Sequence, residues 1–165
     1  MRHRRMARFG AVLGAAALIA VGLFVTHPAE AATGFKIRNA TTGKCINVRG
    51  GGEDVLAVQD PCDVSQRWLK KTLTFDTVLL TNVTGTQCLN VFRGSGADTA
   101  FVVRSTCNAG LRSFQWRVNP SRGGDQYIAV HSNKPMVVQG DSRNDGAFIL
   151  QDGRASTTSR WFLDV

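Results

Sequence analysis

Two stretches of the sequence repeat each other and decide the fold: Cys45-Ile46-Asn47-Val48 and Cys88-Leu89-Asn90-Val91. A second cysteine follows each stretch, at Cys62 and at Cys107. At the same place in a third copy the chain reads Pro135-Met136-Val137-Val138, without a cysteine. Self-similarity at a period of about 45 residues predicts a fold built from internal repeats, here three.

One tryptophan lies near the end of each copy. The three contexts are Gln66-Arg67-Trp68, Phe114-Gln115-Trp116 and Ser159-Arg160-Trp161. A buried tryptophan contributes roughly 150–250 Å² of mostly apolar area and needs a partner for its ring N–H. We therefore expect the three indoles to fill one shared core, one from each copy.

Between these marks the chain consists of short β-rich runs separated by glycine-rich turns. Examples of the runs are 35–38, 55–58, 99–103, 127–130 and 147–150, and the turns include 50–52, 93–96 and 144–146. No sustained 3.6-residue apolar stripe follows residue 31, so we expect little helix. Repeats of this length also occur in propellers, but propellers typically need about four to eight blades. Three copies favour a closed threefold barrel.

The N-terminal residues have the composition of a secretory signal peptide. Arg2, Arg4, Arg5 and Arg8 precede an uncharged apolar run over residues 11–25, and Ala29-Glu30-Ala31 supplies small residues for cleavage. A spanning helix needs about 20 apolar residues, which this run does not reach. We predict a cleaved signal over residues 1–31, a secreted extracellular protein and no membrane span in its mature form. The alternative is an uncleaved anchor.

Residues 32–165 carry a mild positive charge. Four of the 20 Lys and Arg residues and one of the 12 Asp and Glu residues belong to the signal, which leaves 16 basic and 11 acidic residues. Such a spread-out excess is compatible with an anionic polymer as a partner, but no basic cluster indicates specific nucleic-acid binding. We expect a monomeric domain with one core.

All four cysteines lie after the signal, and an even count in an exported domain predicts disulfides. The number alone allows three pairings. The repeat favours pairing within each copy, Cys45 with Cys62 and Cys88 with Cys107. Paired cysteines offer no thiolate, and no Cys-x-x-Cys spacing is present, so neither a metal site nor a cofactor is predicted.

The first copy carries a resemblance to a known family. Its Cys-Ile-Asn-Val stretch, glycine-rich turn, second cysteine and Gln66-Arg67-Trp68 resemble the ricin B-type lectin repeat, whose mark is Gln-x-Trp. The likeness covers residues 32–165, in copies of about 35–73, 78–118 and 127–165. It implies an all-β fold, the β-trefoil, in which three hairpins close one end of a six-stranded barrel. The second and third copies have Phe114 and Ser159 in place of the glutamine.

The resemblance also places a sugar pocket on each copy, with an acid, a stacking aromatic, a polar residue and the glutamine. The first copy has Asn47, Asp60, Ser65 and Gln66 at these positions; the second has Asn90, Ser105, Ser113 and Phe114; the third has Val137, Gln151, Thr158 and Ser159. No copy keeps the acid or the aromatic, so the galactose-type pockets are degraded. The first copy is the least changed. Phe92 and Tyr127 could substitute as stacking platforms, although both positions favour the core.

Nothing in the sequence indicates catalysis. His131 is the only histidine after the signal, no serine lies in a Gly-x-Ser-x-Gly turn, and the carboxylates are scattered. We expect a non-catalytic secreted module that binds a glycan or polysaccharide. The alternative is a protein-interaction trefoil, such as a protease inhibitor, that uses loops on a rigid barrel to bind a secreted protein.

Overall fold

The computed structural model describes residues 33–165, which form twelve strands, four in each copy. The first copy contains β1 (Lys36–Asn39), β2 (Cys45–Val48), β3 (Val55–Asp60) and β4 (Trp68–Thr72). The second contains β5 (Thr77–Asn82), β6 (Gln87–Val91), β7 (Ala100–Thr106) and β8 (Trp116–Asn119). The third contains β9 (Gln126–Ala129), β10 (Lys134–Val138), β11 (Ile149–Gln151) and β12 (Trp161–Asp164). Three-residue 3₁₀ turns span Phe92–Gly94, Arg112–Phe114 and Gln139–Asp141.

The first and last strands of each copy form a closed six-stranded barrel. Antiparallel ladders join β1 to β12, β4 to β5, β5 to β8 and β8 to β9. Single bridges complete the ring, from Phe35 to Trp68 and from Asp125 to Trp161. Closure removes the open sheet edges that would otherwise expose unpaired backbone groups.

The three tryptophans lie in the core of this barrel, each at most 1% exposed. Each indole N–H donates to a backbone carbonyl in the second strand of its copy, at the residue that follows Cys45, Cys88 or Pro135. The three pairs are Trp68 with Ile46 at 3.2 Å, Trp116 with Leu89 at 3.0 Å and Trp161 with Met136 at 3.0 Å. The ring N–H groups are therefore satisfied, which is the condition for burying indoles without loss of stability.

The middle strands of each copy form a hairpin: β2 with β3, β6 with β7 and β10 with β11. The hairpins also pair with one another, through Leu56 and Val103, Phe101 and Leu150, and Val58 and Phe148. Together they close one end of the barrel. The prediction of an all-β trefoil with three pseudo-symmetric copies is confirmed.

Both disulfides join the partners that the repeat predicts. Cys45 bonds to Cys62 and Cys88 to Cys107, with Cα–Cα distances of 4.9 Å in each pair. In the third copy Pro135 takes the place of the first cysteine, and its carbonyl accepts the Asp152 N–H at 3.0 Å. A backbone hydrogen bond joins the strands of this copy where the other two have a covalent bond close by.

The predicted signal peptide, residues 1–31, lies outside the described residues. Within residues 33–165 no helix has the length and apolar character needed to cross a membrane. Tyr127 is fully buried in the barrel core and Phe92 is half-buried, so Tyr127 is not a surface platform.

Candidate functional site

Each predicted pocket lies against a loop of the preceding copy. These loops end in an acidic residue followed by a residue with left-handed φ: Glu53-Asp54 (54°), Asp98-Thr99 (61°) and Asp145-Gly146 (77°). The left-handed residue turns the chain into the next strand, a conformation that glycine, asparagine and aspartate adopt most readily. The second pocket thus faces the first copy's loop, the third faces the second copy's, and the first faces the third copy's.

A buried side chain from the following copy holds each loop in place. Gln59 donates to the carbonyls of Ser142 and Asn144 at 2.8 and 2.9 Å. Gln151 does the same at the carbonyls of Ser95 and Ala97, at 2.7 and 2.9 Å. In the second copy Arg104 occupies this position and donates to the Gly50 carbonyl at 2.9 Å. The loops are therefore fixed parts of the neighbouring pockets.

In the first copy the predicted residues bind one another. Asn47 Nδ2 donates to Asp60 Oδ2 at 2.8 Å, and the Gln66 backbone N–H donates to Asn47 Oδ1 at 3.3 Å. Gln66 Nε2 donates to the Val48 carbonyl at 3.2 Å, and the Ser65 hydroxyl donates to the Cys62 carbonyl at 3.1 Å. Of the groups expected to bind a sugar, the buried Gln66 Oε1 has no partner among the described residues, whereas the side chains of Asn47, Asp60 and Ser65 already bind the protein.

Asp60 is also covered by an arginine. Its carboxylate is only 1% exposed and accepts both edge donors of Arg49, with the Nε contact at 2.9 Å. Burial alone would raise the pKa of Asp60, but the hydrogen bonds from Arg49 and Asn47 outweigh burial and lower the pKa below its ordinary value. Gly146 of the third copy lies against the same guanidinium. Asp60 is therefore an ionised anchor for Arg49 at neutral pH.

In the second copy the predicted residues line an open cleft of ≈ 470 Å³. We call it the second-copy cleft; it is lined by Glu53, Asp54, Asn90, Arg93, Gly94, Ser105, Thr106, Asn108, Leu111, Ser113 and Phe114. Asn90 Nδ2 donates to Ser105 Oγ at 2.9 Å, and Ser105 Oγ donates to Asp54 Oδ1 at 2.6 Å. A chain of polar groups therefore crosses the floor from one copy to the next.

The carboxylates of the second-copy cleft come from the first copy. Glu53 accepts the backbone N–H and the hydroxyl of Thr106 at 2.7 and 2.5 Å, and these bonds lower its pKa. At the corresponding places Asp98 pairs with Lys134 and Asp145 with Lys44. The second copy has Gln87 where the others have these lysines, and among residues 33–165 Glu53 has no salt-bridge partner. This cleft alone of the three lacks that lysine.

The apolar surface of the second-copy cleft is supplied by Leu111, which is 52% exposed, beside the largely buried Phe114. Arg93 reaches the same cleft, and its guanidinium lies 4.9 Å from the ring centroid of Phe92. The arrangement combines carboxylate acceptors, amide and hydroxyl groups and one apolar wall, the mixture that small-molecule sites use to fix orientation.

The third copy corrects one sequence assignment. Gln151 pairs with Met136, so it is the equivalent of Gln59, and Asp152 lies opposite Pro135 as Asp60 lies opposite Cys45. The sequence assignment is one residue out of register because the third copy has no cysteine to fix the alignment. In a strand such a shift changes the face on which a side chain lies.

Asp152 binds Arg154 as Asp60 binds Arg49, with contacts of 2.5 to 3.1 Å. The Arg154 hydrogen bond is the main cause of the lowered pKa of Asp152. The pair lies in a cleft of ≈ 460 Å³ that also includes Thr99, Val137 and Asp141. Thr158 and Ser159 are buried; the Thr158 hydroxyl donates to Asp141 at 2.8 Å. The third cleft is open, but its Asp152 carboxylate is already paired with Arg154.

Sequence reasoning missed Glu53, Asp54, Leu111 and Asp152. The acids of the three loops recur at intervals of 45 and 47 residues, at Glu53, Asp98 and Asp145, so the period contained a signal for them. Their place in the next copy's pocket depends on the closed threefold arrangement and could not be obtained from one repeat. Leu111 has a counterpart in the first copy, Val64 of the corresponding turn, but no pattern runs through all three copies to mark it.

His131 lies outside the two clefts described above. His131 Nε2 lies 2.9 Å from the Ser95 carbonyl, at a loop contact between the second and third copies. Among residues 33–165 no group of three or more His, Cys, Asp and Glu side chains is arranged to hold a metal ion.

Comparisons with known proteins agree with this architecture. A designed threefold-symmetric protein, ThreeFoil, superposes with a TM-score of 0.74 at 23% identity, over 79% of this chain and 97% of that one. An exo-β-1,3-galactanase from Clostridium thermocellum matches with a TM-score of 0.72 at 26% identity, over 79% of this chain and 30% of that chain. The Rhizoctonia solani agglutinin matches with a TM-score of 0.67 at 14% identity, over 79% and 92%. A search of curated protein sequences gives no significant match.

The model of the ricin-type beta-trefoil lectin domain matches residues 33–161, which span the first two copies, most of the third and all three tryptophans. With the closed barrel, the three hairpins and the recurring indole bonds, this match supports a carbohydrate-binding module. The chain belongs to the ricin-type beta-trefoil lectin domain family.

Proposed function

We propose that this protein is a secreted glycan-binding module and that the second-copy cleft is its principal binding site. The single observation behind this assignment is that Glu53 and Asp54, supplied by the first copy, line one open cleft together with Asn90 and Ser105 of the second copy. Both disulfides are compatible with an oxidising, extracellular compartment. The function requires no reacting group in the protein.

A sugar presents hydroxyls that need acceptors and C–H faces that need apolar cover. Asp54 Oδ2 makes no hydrogen bond within residues 33–165, so this oxygen is free to accept a sugar hydroxyl. Hydrogen bonds to a carboxylate are roughly twice as strong as those between neutral groups. Leu111 covers one C–H face in place of the missing aromatic. The second copy has Asn90 where the family has an acid, and in this proposal Asp54 of the first copy supplies the carboxylate instead.

The first-copy residues Asn47, Asp60, Ser65 and Gln66 have a different role in this proposal. Apart from the buried Gln66 Oε1, their side-chain polar groups are engaged with one another, with Arg49 or with the backbone. A sugar would have to displace Arg49 from a buried carboxylate, and breaking such a pair leaves a poorly solvated charge. We assign these residues to holding the pocket's shape. We assign Asn90 to ligand contact through its Oδ1, because its Nδ2 already donates to Ser105 and Oδ1 makes no hydrogen bond within residues 33–165.

The test is binding of the purified protein to a panel of immobilised polysaccharides, followed by titration calorimetry with fragments of the one it retains. We expect Asp54→Asn to weaken binding about tenfold, because a charged acceptor becomes a neutral one while the left-handed backbone is tolerated by asparagine. Leu111→Ser should weaken binding about threefold to tenfold through loss of apolar cover.

Matched controls are available in the first-copy loop that corresponds to the loop carrying Leu111. Asp63→Asn makes the same charge change on an exposed acid, and Val64→Ser removes an apolar side chain that is 65% exposed. Neither should alter the affinity. A folded protein that no polysaccharide retains would refute glycan binding, and equal affinities for Asp54→Asn and Asp63→Asn would refute the assignment of this cleft.

A further inference from the structure

The β4–β5 turn carries a second candidate surface at the other end of the barrel. β4 begins at Trp68, whose indole contacts the hairpin strand β2, and runs away from the hairpins to Thr72. The turn that follows, residues 73–76, therefore lies at the barrel end opposite the three hairpins. Phe75 at this turn is fully exposed, the only aromatic residue so exposed in the described chain.

Backbone hydrogen bonds fix the turn that exposes the Phe75 side chain to solvent. The backbone N–H groups of Leu73 and Thr74 donate to the Thr77 carbonyl at 2.9 and 3.2 Å. Asp76 is anchored to β8, since its carbonyl accepts the Val118 N–H at 2.7 Å. Because the turn is already ordered, binding of a ligand to the ring costs little backbone entropy. Preorganisation of this kind increases affinity.

The ring borders a shallow groove of ≈ 210 Å³. Its lining residues are Lys70, Thr72, Phe75, Asp76, Val78, Val118 and Pro120. Val78, Val118 and Pro120 make its base apolar, while Lys70, Thr72 and Asp76 place a cation, a hydroxyl and a carboxylate around the edge. Within residues 33–165 Lys70 has no salt-bridge partner.

Two occupants fit an exposed aromatic beside lysines: a pyranose ring or an anionic lipid surface. Asp76 distinguishes them. A sugar presents hydroxyls that a carboxylate accepts, whereas a lipid phosphate is repelled by the carboxylate and a membrane interior penalises the charge. The Asp76 carboxylate already accepts the Thr77 hydroxyl at 3.0 Å, which orients it beside the ring. The chemistry of the groove therefore favours a saccharide.

We propose that Phe75 and the groove beside it form an additional saccharide subsite, separate from the three pockets on the hairpin side. Phe75 stacks on the C–H face of one pyranose, and Lys70, Thr72 and Asp76 hydrogen-bond its hydroxyls. The inference rests on the proposed glycan-binding function and extends it. A polymer touching both this subsite and the second-copy cleft would gain affinity through multivalency.

The experiment uses the polysaccharide that the purified protein retains, and oligosaccharide fragments of it. Phe75→Ala should weaken retention about fivefold to tenfold, because one apolar contact is lost and the fold does not depend on an exposed ring. Val83→Ala, at an exposed apolar residue of a different turn, is the matched control and should leave binding unchanged. Amide chemical shifts around Phe75 and Val118 should move when the fragment is added.

The outcomes separate this inference from the assignment of the cleft. Loss of binding in Asp54→Asn but not in Phe75→Ala, with unmoved shifts at the turn, overturns the subsite alone. Loss in Phe75→Ala but not in Asp54→Asn supports the subsite and overturns the cleft. Retention by no polysaccharide overturns both. Phe75-dependent sedimentation with phosphatidylglycerol vesicles, without any effect on polysaccharide retention, would show a lipid surface instead and overturn the subsite.

Discussion

Asp54 Oδ1 accepts the Ser105 hydroxyl at 2.6 Å, although the two residues belong to different copies. The bond exists only because the first copy's loop lies against the second copy's hairpin. The acids of the second-copy cleft come from the first copy and the amide comes from the second. No single copy could therefore form this cleft alone. In this protein the closed threefold arrangement builds the candidate site as well as the core.

Substitutions of Arg104 test how the loop over residues 50–54, which carries Asp54, is held in place. The other copies use Gln59 and Gln151 at this position, whereas Arg104 is 6% exposed, bonds the Gly50 carbonyl, and has an Nε without a partner among the described residues. A buried charge without a salt bridge is costly. Arg104→Gln should therefore leave the free energy of unfolding within about 1 kcal/mol of the wild type, because the amide can make the same kind of bond.

Arg104→Ala is the informative partner variant. It removes the loop anchor, so we expect faster hydrogen exchange over residues 50–54 and a loss of about 1–3 kcal/mol in stability. Denaturant unfolding and exchange mass spectrometry measure the two effects. If Arg104→Gln and Arg104→Ala lose equal stability, the loop is not held through this side chain.

Asp60 predicts how stability depends on pH. Its pKa in the folded protein is lowered, so its contribution is fully present above the unfolded-state pKa of about 3.9 and is lost as the pH falls through the folded value. Asp60→Asn should cost about 1–3 kcal/mol at pH 7, through weaker bonds to Arg49 and Asn47.

The midpoint of thermal unfolding, measured between pH 7 and pH 2, checks this prediction. The wild type should lose stability below about pH 4, and Asp60→Asn should show a smaller loss because one of the titrating carboxylates is absent. Asp63→Asn removes an exposed carboxylate and should follow the wild-type curve. Parallel curves for all three proteins would contradict the assigned role of Asp60.

The sequence predicted most of the fold and less of the site. Trp68, Trp116 and Trp161 marked the period, and the period alone favoured three copies in a barrel and the pairing of Cys88 with Cys107. The carboxylates of the second-copy cleft were missed because a loop's neighbour is set by closure of the chain, a long-range property. Gln151 was misplaced because the third copy lacks the cysteines that fix the register elsewhere.

The disulfides provide the next prediction. Each closes a loop of similar length, with sequence separations of 17 and 19 residues. In the chain-entropy description a loop of this size stabilises the folded state by about 3 kcal/mol. Replacing Cys88 and Cys107 with serine should therefore cost about 3 kcal/mol, and replacing Cys45 and Cys62 should cost a similar amount. Urea unfolding measures both, and a stability unchanged by reduction would contradict the prediction.

Trp116 tests the physical basis of the fold itself. The indole is fully buried and its N–H donates to the Leu89 carbonyl at 3.0 Å, one of three equivalent bonds around the barrel. Trp116→Phe leaves a cavity and an unpaired carbonyl, so we expect a loss of about 2–4 kcal/mol in the free energy of unfolding. Phe75→Ala removes an equally apolar but exposed ring and should change stability by less than about 0.5 kcal/mol. If the two variants unfold at the same denaturant concentration, the indole hydrogen bonds do not hold the barrel to its hairpins.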